Sequence, residues 1–493
     1  MFVGVDVGGT NTDIAVVGEE IRTAKVPNTL GFKEVFKRAS EIADIKSERV
    51  VISTSIPLNL VVSRFDKIRT KVLLFPGPGL NYSAYGIQLR GAVNHRGDLV
   101  EDIDEKEIEE AIKDKADCLA IASKFSVRNP EIELKAYEIA RKYYEDYEIA
   151  LSYHIPILNY PLRINTTVIN AKLMKRVYEL VREVKKYVDD FYFYKGDGGI
   201  IPWKVALRNP SELYNSSPAA VALGAYYLTR EKDALVVDIG GTTTDFVLIK
   251  DGKPEIIERA TIGGLKSCVR CVKSESIPFG GDSVVEDTVK PVRISQPAAF
   301  GGNSFTLTDA LNCMGYEIGD YRKSRAMRSG DYERAVEDFI NIVAEKIREF
   351  DVEKVIGTGY LSKFVMKEIA RRANVKCVIP EHCESANAIG VAISRLSYTL
   401  YARFDTENKV AVYDGEATFM RDEIYGFPDD EDFINMAVDR IISIAKSFGE
   451  SVDEKDVKVL YFKSYSVVRG GVRRGKIADV IVQIEPKIRE ELL

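Results

Sequence analysis

The chain has 493 residues, 45% apolar and 29% charged, a length and balance that call for two or three packed domains and exclude a disordered chain. Its 75 acidic and 69 basic side chains leave a net charge of −6, and the basic residues are dispersed. This argues against nucleic acid as the main partner, which needs a concentrated phosphate-neutralising surface. No apolar run approaches the roughly 18 residues that span a bilayer, and MFVGVDVGGT already reads as a strand and turn, so no membrane partner and a cytoplasmic location are expected.

In chain order, VGVDVGGTNTDIAVV (residues 3–17) reads as a buried strand through Asp6, a tight glycine turn and a returning strand that carries Asp13. A Rossmann or Walker loop would run into a helix instead, whereas the β-branched Ile14, Val16 and Val17 favour a strand. Residues 215–228, NSSPAAVALGAYYL, form a small-residue helix suited to close packing. LVVDIGGTTTDFVLI (235–249) then repeats the opening hairpin, Asp238 answering to Asp6 and Asp245 to Asp13. KVIGTGYLSKFV (354–365) reads as a strand, a Gly-Thr-Gly turn and the start of a helix, and ESANAIGVAIS (384–394) as a second small-residue helix. Beyond about residue 398, YTLYARFD, KVAVYDG, a helix near 431–447, KVLYFKSYSVV and KIADVIVQIEP predict a small α/β or mostly β appendage.

The repeated hairpin suits a nucleotide. Glycines let backbone N–H groups approach phosphate oxygens, threonine hydroxyls donate further bonds, and a carboxylate at the strand end holds Mg²⁺ through water. The expected Mg²⁺ carboxylates are Asp6 and Asp238. Asp13 and Asp245 orient the loop threonine hydroxyls, help position the nucleophile, or satisfy hairpin N–H groups. The phosphate-loop candidates are Gly8, Gly9, Thr10, Asn11 and Thr12 in the first copy and Gly240, Gly241, Thr242, Thr243 and Thr244 in the second. Strand alternation keeps consecutive threonines from facing the same way, so some of them serve structure. Gly357, Thr358 and Gly359 either border adenosine or make a simple strand-to-helix turn.

The order of phosphate loop, small-residue helix, phosphate loop, adenosine loop and small-residue helix resembles the actin/hexokinase/Hsp70 superfamily over residues 1–398. The resemblance implies an α/β fold of duplicated actin-like (ribonuclease H-like) ATPase lobes. The first lobe is expected at 1–230 with inserted segments, the second at 231–398, and a small C-terminal α/β domain at 399–493. The two small-residue helices would cross at the hinge. RNPEIE (128–133), LRINTTVINAKL (162–173), KGDGGIIP (195–202) and FTLTDALNCMG (305–315) resemble the hydantoinase/5-oxoprolinase ATPase family, also called hydantoinase A.

That second resemblance implies ATP and Mg²⁺, phosphorylation of a small carbonyl or cyclic amide substrate, and lactam or hydantoin ring hydrolysis or ketone carboxylation. It also implies a hydantoinase B-type subunit as partner and an oligomer. A small-molecule kinase, an ATP-driven activator and a non-catalytic nucleotide-binding module are the competing functions. The chain departs from the family pattern at Ile277-Pro278, where a His is expected, in KFSVRNP, and in the shortened QPAAFGGNSF loop. Substrate-side candidates are Arg163, Asn165, Thr166, Asp197, Gly280, Gly281, Asp282 and Ser283; Arg163 either forks onto an anion or forms an ion pair. The six scattered cysteines are expected to stay reduced, and Cys268-Val-Arg-Cys271 has no second pair at metal-ligand spacing.

Overall fold

The computed structural model describes residues 1–9, 11–420 and 428–492. Phe2–Val7 (β1), Asn11–Val17 (β2) and Ile21–Pro27 (β3) form an antiparallel meander. Arg49–Thr54 (β4) lies parallel to β1, and Tyr192–Tyr194 (β5) parallel to β4, giving the order β3-β2-β1-β4-β5 with Ile200–Pro202 on the far edge. The second lobe repeats this plan. Ala234–Ile239 (β6), Thr244–Lys250 (β7), Ser274–Ile277 (β8), Lys354–Thr358 (β9) and Lys376–Val378 (β10) stand in the order β8-β7-β6-β9-β10, with β9 parallel to β6. Equal strand order and equal directions in both halves make this the duplicated α/β fold expected from the repeat.

The strands are apolar on both faces because helices cover them. Val3, Val5, Ile14 and Val16 are fully buried against Phe36, Val177 and Val181, and Val237 and Val355 against Phe339 and Met366. Tyr160–Val184 (α1) backs the first lobe, and Ser362–Ala373 (α3) follows β9. The small-residue helices Ser216–Thr229 (α2) and Ala386–Ile393 (α4) cross at van der Waals contact. A Cβ on Gly224 would lie 1.9 Å from the Ala386 carbonyl oxygen, and one on Gly390 would lie 1.9 Å from that of Ala220. Gly4 in β1 admits α4 in the same way, with 2.1 Å left to the Ala388 oxygen.

Between β4 and α1 the chain inserts a parallel sheet of Thr70–Phe75, Ile87–Gln88, Cys118–Ser123 and Ile149–Leu151. The C-terminal segment forms an antiparallel five-stranded sheet from Tyr398–Asp405 to Val472–Ile484, covered by the helix Asp430–Ser447. Arg128 binds Asp479 at 2.8 Å and Arg96 binds Asp405 at 2.8 Å, tying this sheet to the inserted one. A second-lobe segment also reaches across: Ala260, Ile262, Val269 and Cys271 pack with Leu60 and Phe65, and with Ile169 and Leu173 of α1.

Candidate functional site

The register places Asp6 opposite Asp13 and Asp238 opposite Asp245. Both turns close alike, the Gly8 N–H donating to the Asn11 carbonyl at 3.1 Å and the Gly240 N–H to that of Thr243 at 3.0 Å. Gly9, Gly241 and Thr242 are exposed at the tips, and Thr10 lies outside the described residues. Thr12 and Thr244 point inward. Thr12 donates to Asn28 Oδ1 at 2.9 Å, Asn28 in turn donates to the Gly8 carbonyl at 2.8 Å, and Thr244 donates to the Phe279 carbonyl at 2.8 Å. These inner threonines buttress the turns, as strand alternation requires. Thr243 spends its hydroxyl on Asp245, at 3.3 Å.

Each strand-end aspartate has a hydroxyl neighbour on the adjoining parallel strand. Ser53 stands beside Asp6 in register, and Thr358 donates to Asp238 Oδ1 at 2.9 Å. Ser53 escapes a motif reading of the sequence. The repeat is the signal that finds it, because the Asp6–Ser53 pair mirrors Asp238–Thr358. The rest of the Gly-Thr-Gly turn is packed. A Cβ on Gly357 would sit 2.6 Å from Met366 Cγ, and Gly359 has φ +79° with its Cβ position 2.3 Å from the Ile239 oxygen. Asn387 of α4 links the crossing helices to the first hairpin, its amide lying 3.3 Å from Asp6 Oδ2 and 3.2 Å from Ser217 Oγ.

Electrostatically the site is a recess of destabilised carboxylates. Burial raises Asp6, against stabilising hydrogen bonds from Ser53 and Asn387. Burial pushes Asp13 up to about 6, opposed by Lys25, whose ammonium is 3.0 Å from Asp13 Oδ1. Asp238 is pushed up to about 7, first by burial and then by the charge of Asp245, with a further contribution from Asp6. Burial raises Asp245 as well. Such carboxylates favour a cation as neighbour. Among the described residues, no three His, Cys, Asp or Glu side chains converge to hold a metal ion alone. Mg²⁺ at Asp6 and Asp238 would therefore complete its oxygen shell with water and phosphate, which suits its reluctance to dehydrate.

Of the substrate-side candidates, the quartet 280–283 gathers at the second hairpin. Gly281 and Asp282 donate their N–H groups to the Gly240 and Gly241 carbonyls at 2.9 and 2.7 Å, and Gly280 has no room for a Cβ, which would lie 2.6 Å from the Gly241 oxygen. Ser283 Oγ accepts from the Gly280 N–H at 2.9 Å, and Asp282 pairs with Arg293 at 3.0 Å.

The other four candidates lie elsewhere. Arg163 is fully buried, donating to Ser152, Ile157, Lys124 and Ser123 beside Glu133, so its guanidinium braces the inserted sheet. Asn165 donates to the Lys266 carbonyl at 2.9 Å and Thr166 accepts from the Cys268 N–H at 2.9 Å, docking the second-lobe segment on α1. Asp197 is buried on Lys195 at 3.3 Å and accepts from Ser397 at 2.9 Å, at the joint with the C-terminal sheet. All six cysteines are unpaired, and among the described residues no helix is long and apolar enough to cross a membrane.

Comparison with known proteins adds the following. A family model for the hydantoinase/oxoprolinase N-terminal region matches residues 2–144, and the hydantoinase/oxoprolinase model matches residues 163–355. An uncharacterized protein of Methanocaldococcus jannaschii is 25% identical over 443 residues, 76% of this chain and 65% of that protein. Caprolactamase subunit alpha of Pseudomonas jessenii is 25% identical over 378 residues, 64% of this chain and 54% of that subunit. The match thus spans less than two thirds of either relative. A nucleotide-free acetone carboxylase structure superposes with a TM-score of 0.69 at 16% identity, covering 98% of this chain and 88% of that one. The ATP-dependent caprolactamase of Pseudomonas jessenii gives 0.60 at 18% identity, covering 98% and 87%. At these identities the two structures speak to the fold, which they share with this chain along almost its full length.

Proposed function

The chain belongs to the hydantoinase/oxoprolinase family, and from that premise we propose that it is an ATP-dependent enzyme that phosphorylates a small carbonyl compound or cyclic amide. The observation that carries this reading is the pair of like-built hairpins, each with an exposed glycine at its tip, Gly9 or Gly241, and a recessed aspartate. On this reading the turns hold the ATP phosphates, and Asp6 and Asp238 hold Mg²⁺ through water. Asp13 and Asp245 keep the hairpins in register beside them. Gly359 and the exposed Tyr360 border the adenosine side. Bound Mg²⁺ supplies charge neutralisation at the phosphates, while the chain supplies position.

The substrate oxygen attacks the γ-phosphorus as the bond to the bridging oxygen breaks and ADP leaves with the electron pair. The phosphorylated oxygen is then a leaving group, and the carbon it sits on is open to water or another nucleophile. The ATP-dependent caprolactamase supports lactam ring hydrolysis, and the acetone carboxylase keeps ketone carboxylation as the second reading. The relative's designation as a subunit alpha supports a B-type partner.

The test is Mg-ATP hydrolysis with and without a B-type subunit, across lactams, hydantoins and ketones with bicarbonate. Stimulation by one class is expected. Absence of stimulation by every class with the partner present overturns the reading, and a stable phosphorylated product in ³¹P NMR makes the chain a kinase instead.

A further inference from the structure

The two hairpins, residues 6–13 and 238–245, contain four aspartates and neither lysine nor arginine. A polyphosphate entering between them needs fixed positive charge in addition to a divalent cation, since phosphate and carboxylate repel at short range. A lysine stands on the neighbouring strand of the first hairpin. Lys25 lies on β3 directly opposite Asp13, its ammonium 3.0 Å from Asp13 Oδ1. Asp13 in turn stands opposite Asp6 across the first hairpin, so the ammonium sits one strand away from the aspartate that ends β1.

Two features separate Lys25 from an ordinary strand ion pair. First, the Lys25 side chain is 45% exposed whereas Asp13 is 16% exposed, so the ammonium lies on the open side and keeps donors that a single carboxylate oxygen does not use. Second, the duplication breaks here. In the second lobe β8 sets Ser276 opposite Asp245, and no cation takes the place of Lys25 in that register. The nearby Arg293 and Lys363 are engaged with Asp282 at 3.0 Å and Glu384 at 2.8 Å. A mere fold requirement would recur in both copies of a duplicated hairpin, whereas one phosphate chain lying between two hairpins needs its lysine once.

We propose that Lys25 is a phosphate-contact residue, its ammonium moving from Asp13 to the terminal phosphate oxygens of ATP when nucleotide binds. Lysine suits the task as a compact point charge on a flexible stem. The inference rests on the ATP-site reading above and assigns to β3 a role that neither glycine turn performs.

The experiment is calorimetric binding of Mg-ATP and of AMP to the full-length chain and to Lys25→Met, Lys25→Arg and Asp13→Asn. Lys25→Met is expected to weaken ATP by about 10- to 100-fold and to leave AMP, which lacks the terminal phosphates, within about twofold. Lys25→Arg should retain most of the ATP affinity, and Asp13→Asn, which releases the ammonium, should bind ATP more tightly. If the Met variant binds ATP like the parent, or if Asp13→Asn weakens ATP as much as Lys25→Met, Lys25 is only a strand ion pair and the proposal fails. Should the Met variant not fold, the Arg and Asn variants decide on the same criteria. A parent chain that binds no ATP removes the nucleotide-site reading itself, a result distinct from loss of the Lys25 role alone.

Discussion

Asp238 offers a test in which stability and activity move in opposite directions. In the folded chain its carboxyl is held near 7 instead of 3.8, chiefly by burial and then by Asp245. The native state therefore binds a proton that the unfolded chain has already released, and stability falls as pH rises from about 4 through about 7. An ionised group displaced that far costs the fold at most roughly 4 kcal/mol, and water reaching the recess reduces this to about 1–2 kcal/mol. Asp238→Asn keeps the shape and the Thr358 contact while removing the charge. In EDTA it should match the parent at pH 4 and melt higher at pH 8, the gap widening across that window. Mg-ATP turnover should fall by about 100-fold or more. A variant that melts lower at pH 8, or a gap independent of pH, would refute the electrostatic reasoning; retained turnover would refute the phosphate-site assignment.

Removing Mg²⁺ should lower the melting temperature of the ATP-bound parent and leave that of ATP-treated Asp238→Asn nearly unchanged, as read by calorimetry with and without EDTA. Gly390→Leu must push apart two backbones in van der Waals contact, so it should cost more than about 3 kcal/mol and give little soluble protein, measured as yield and melting temperature. Arg163→Met leaves Glu133 buried without its cation and should destabilise the chain by about 3 kcal/mol. It should leave the KM for the carbonyl substrate unchanged, and a large shift of that KM in a stable protein would return Arg163 to the substrate side.

The paired hairpins were legible because they are written twice. Asp6, Gly8 and Asp13 and their counterparts Asp238, Gly240 and Asp245 occupy equal register positions, and a periodic strand with a glycine turn needs only local sequence to be recognised. The crossing of α2 and α4 was legible for a similar reason, since runs of alanine and glycine have few uses besides close approach. Side-chain direction was not legible. Arg163, Asn165, Thr166 and Asp197 sit in distinctive motifs, yet their partners Lys124, Lys266, Cys268 and Ser397 are tens to hundreds of residues away, and nothing local shows that they serve docking. Ser53 and Lys25 were missed for the opposite reason. Each sits in an unremarkable strand, and only strand pairing brings it beside an aspartate.

The segment that carries Ala260, Ile262, Val269 and Cys271 belongs to the second lobe by chain but is rooted among Leu60, Phe65, Ile169 and Leu173 on the first. Together with the Gly224–Gly390 crossing, and with the Val272 N–H donating to the Gly196 carbonyl at 2.7 Å, it fastens the lobes along a seam of several contacts far apart in the chain. A substitution that loosens one of these contacts leaves the others to hold the two hairpins face to face.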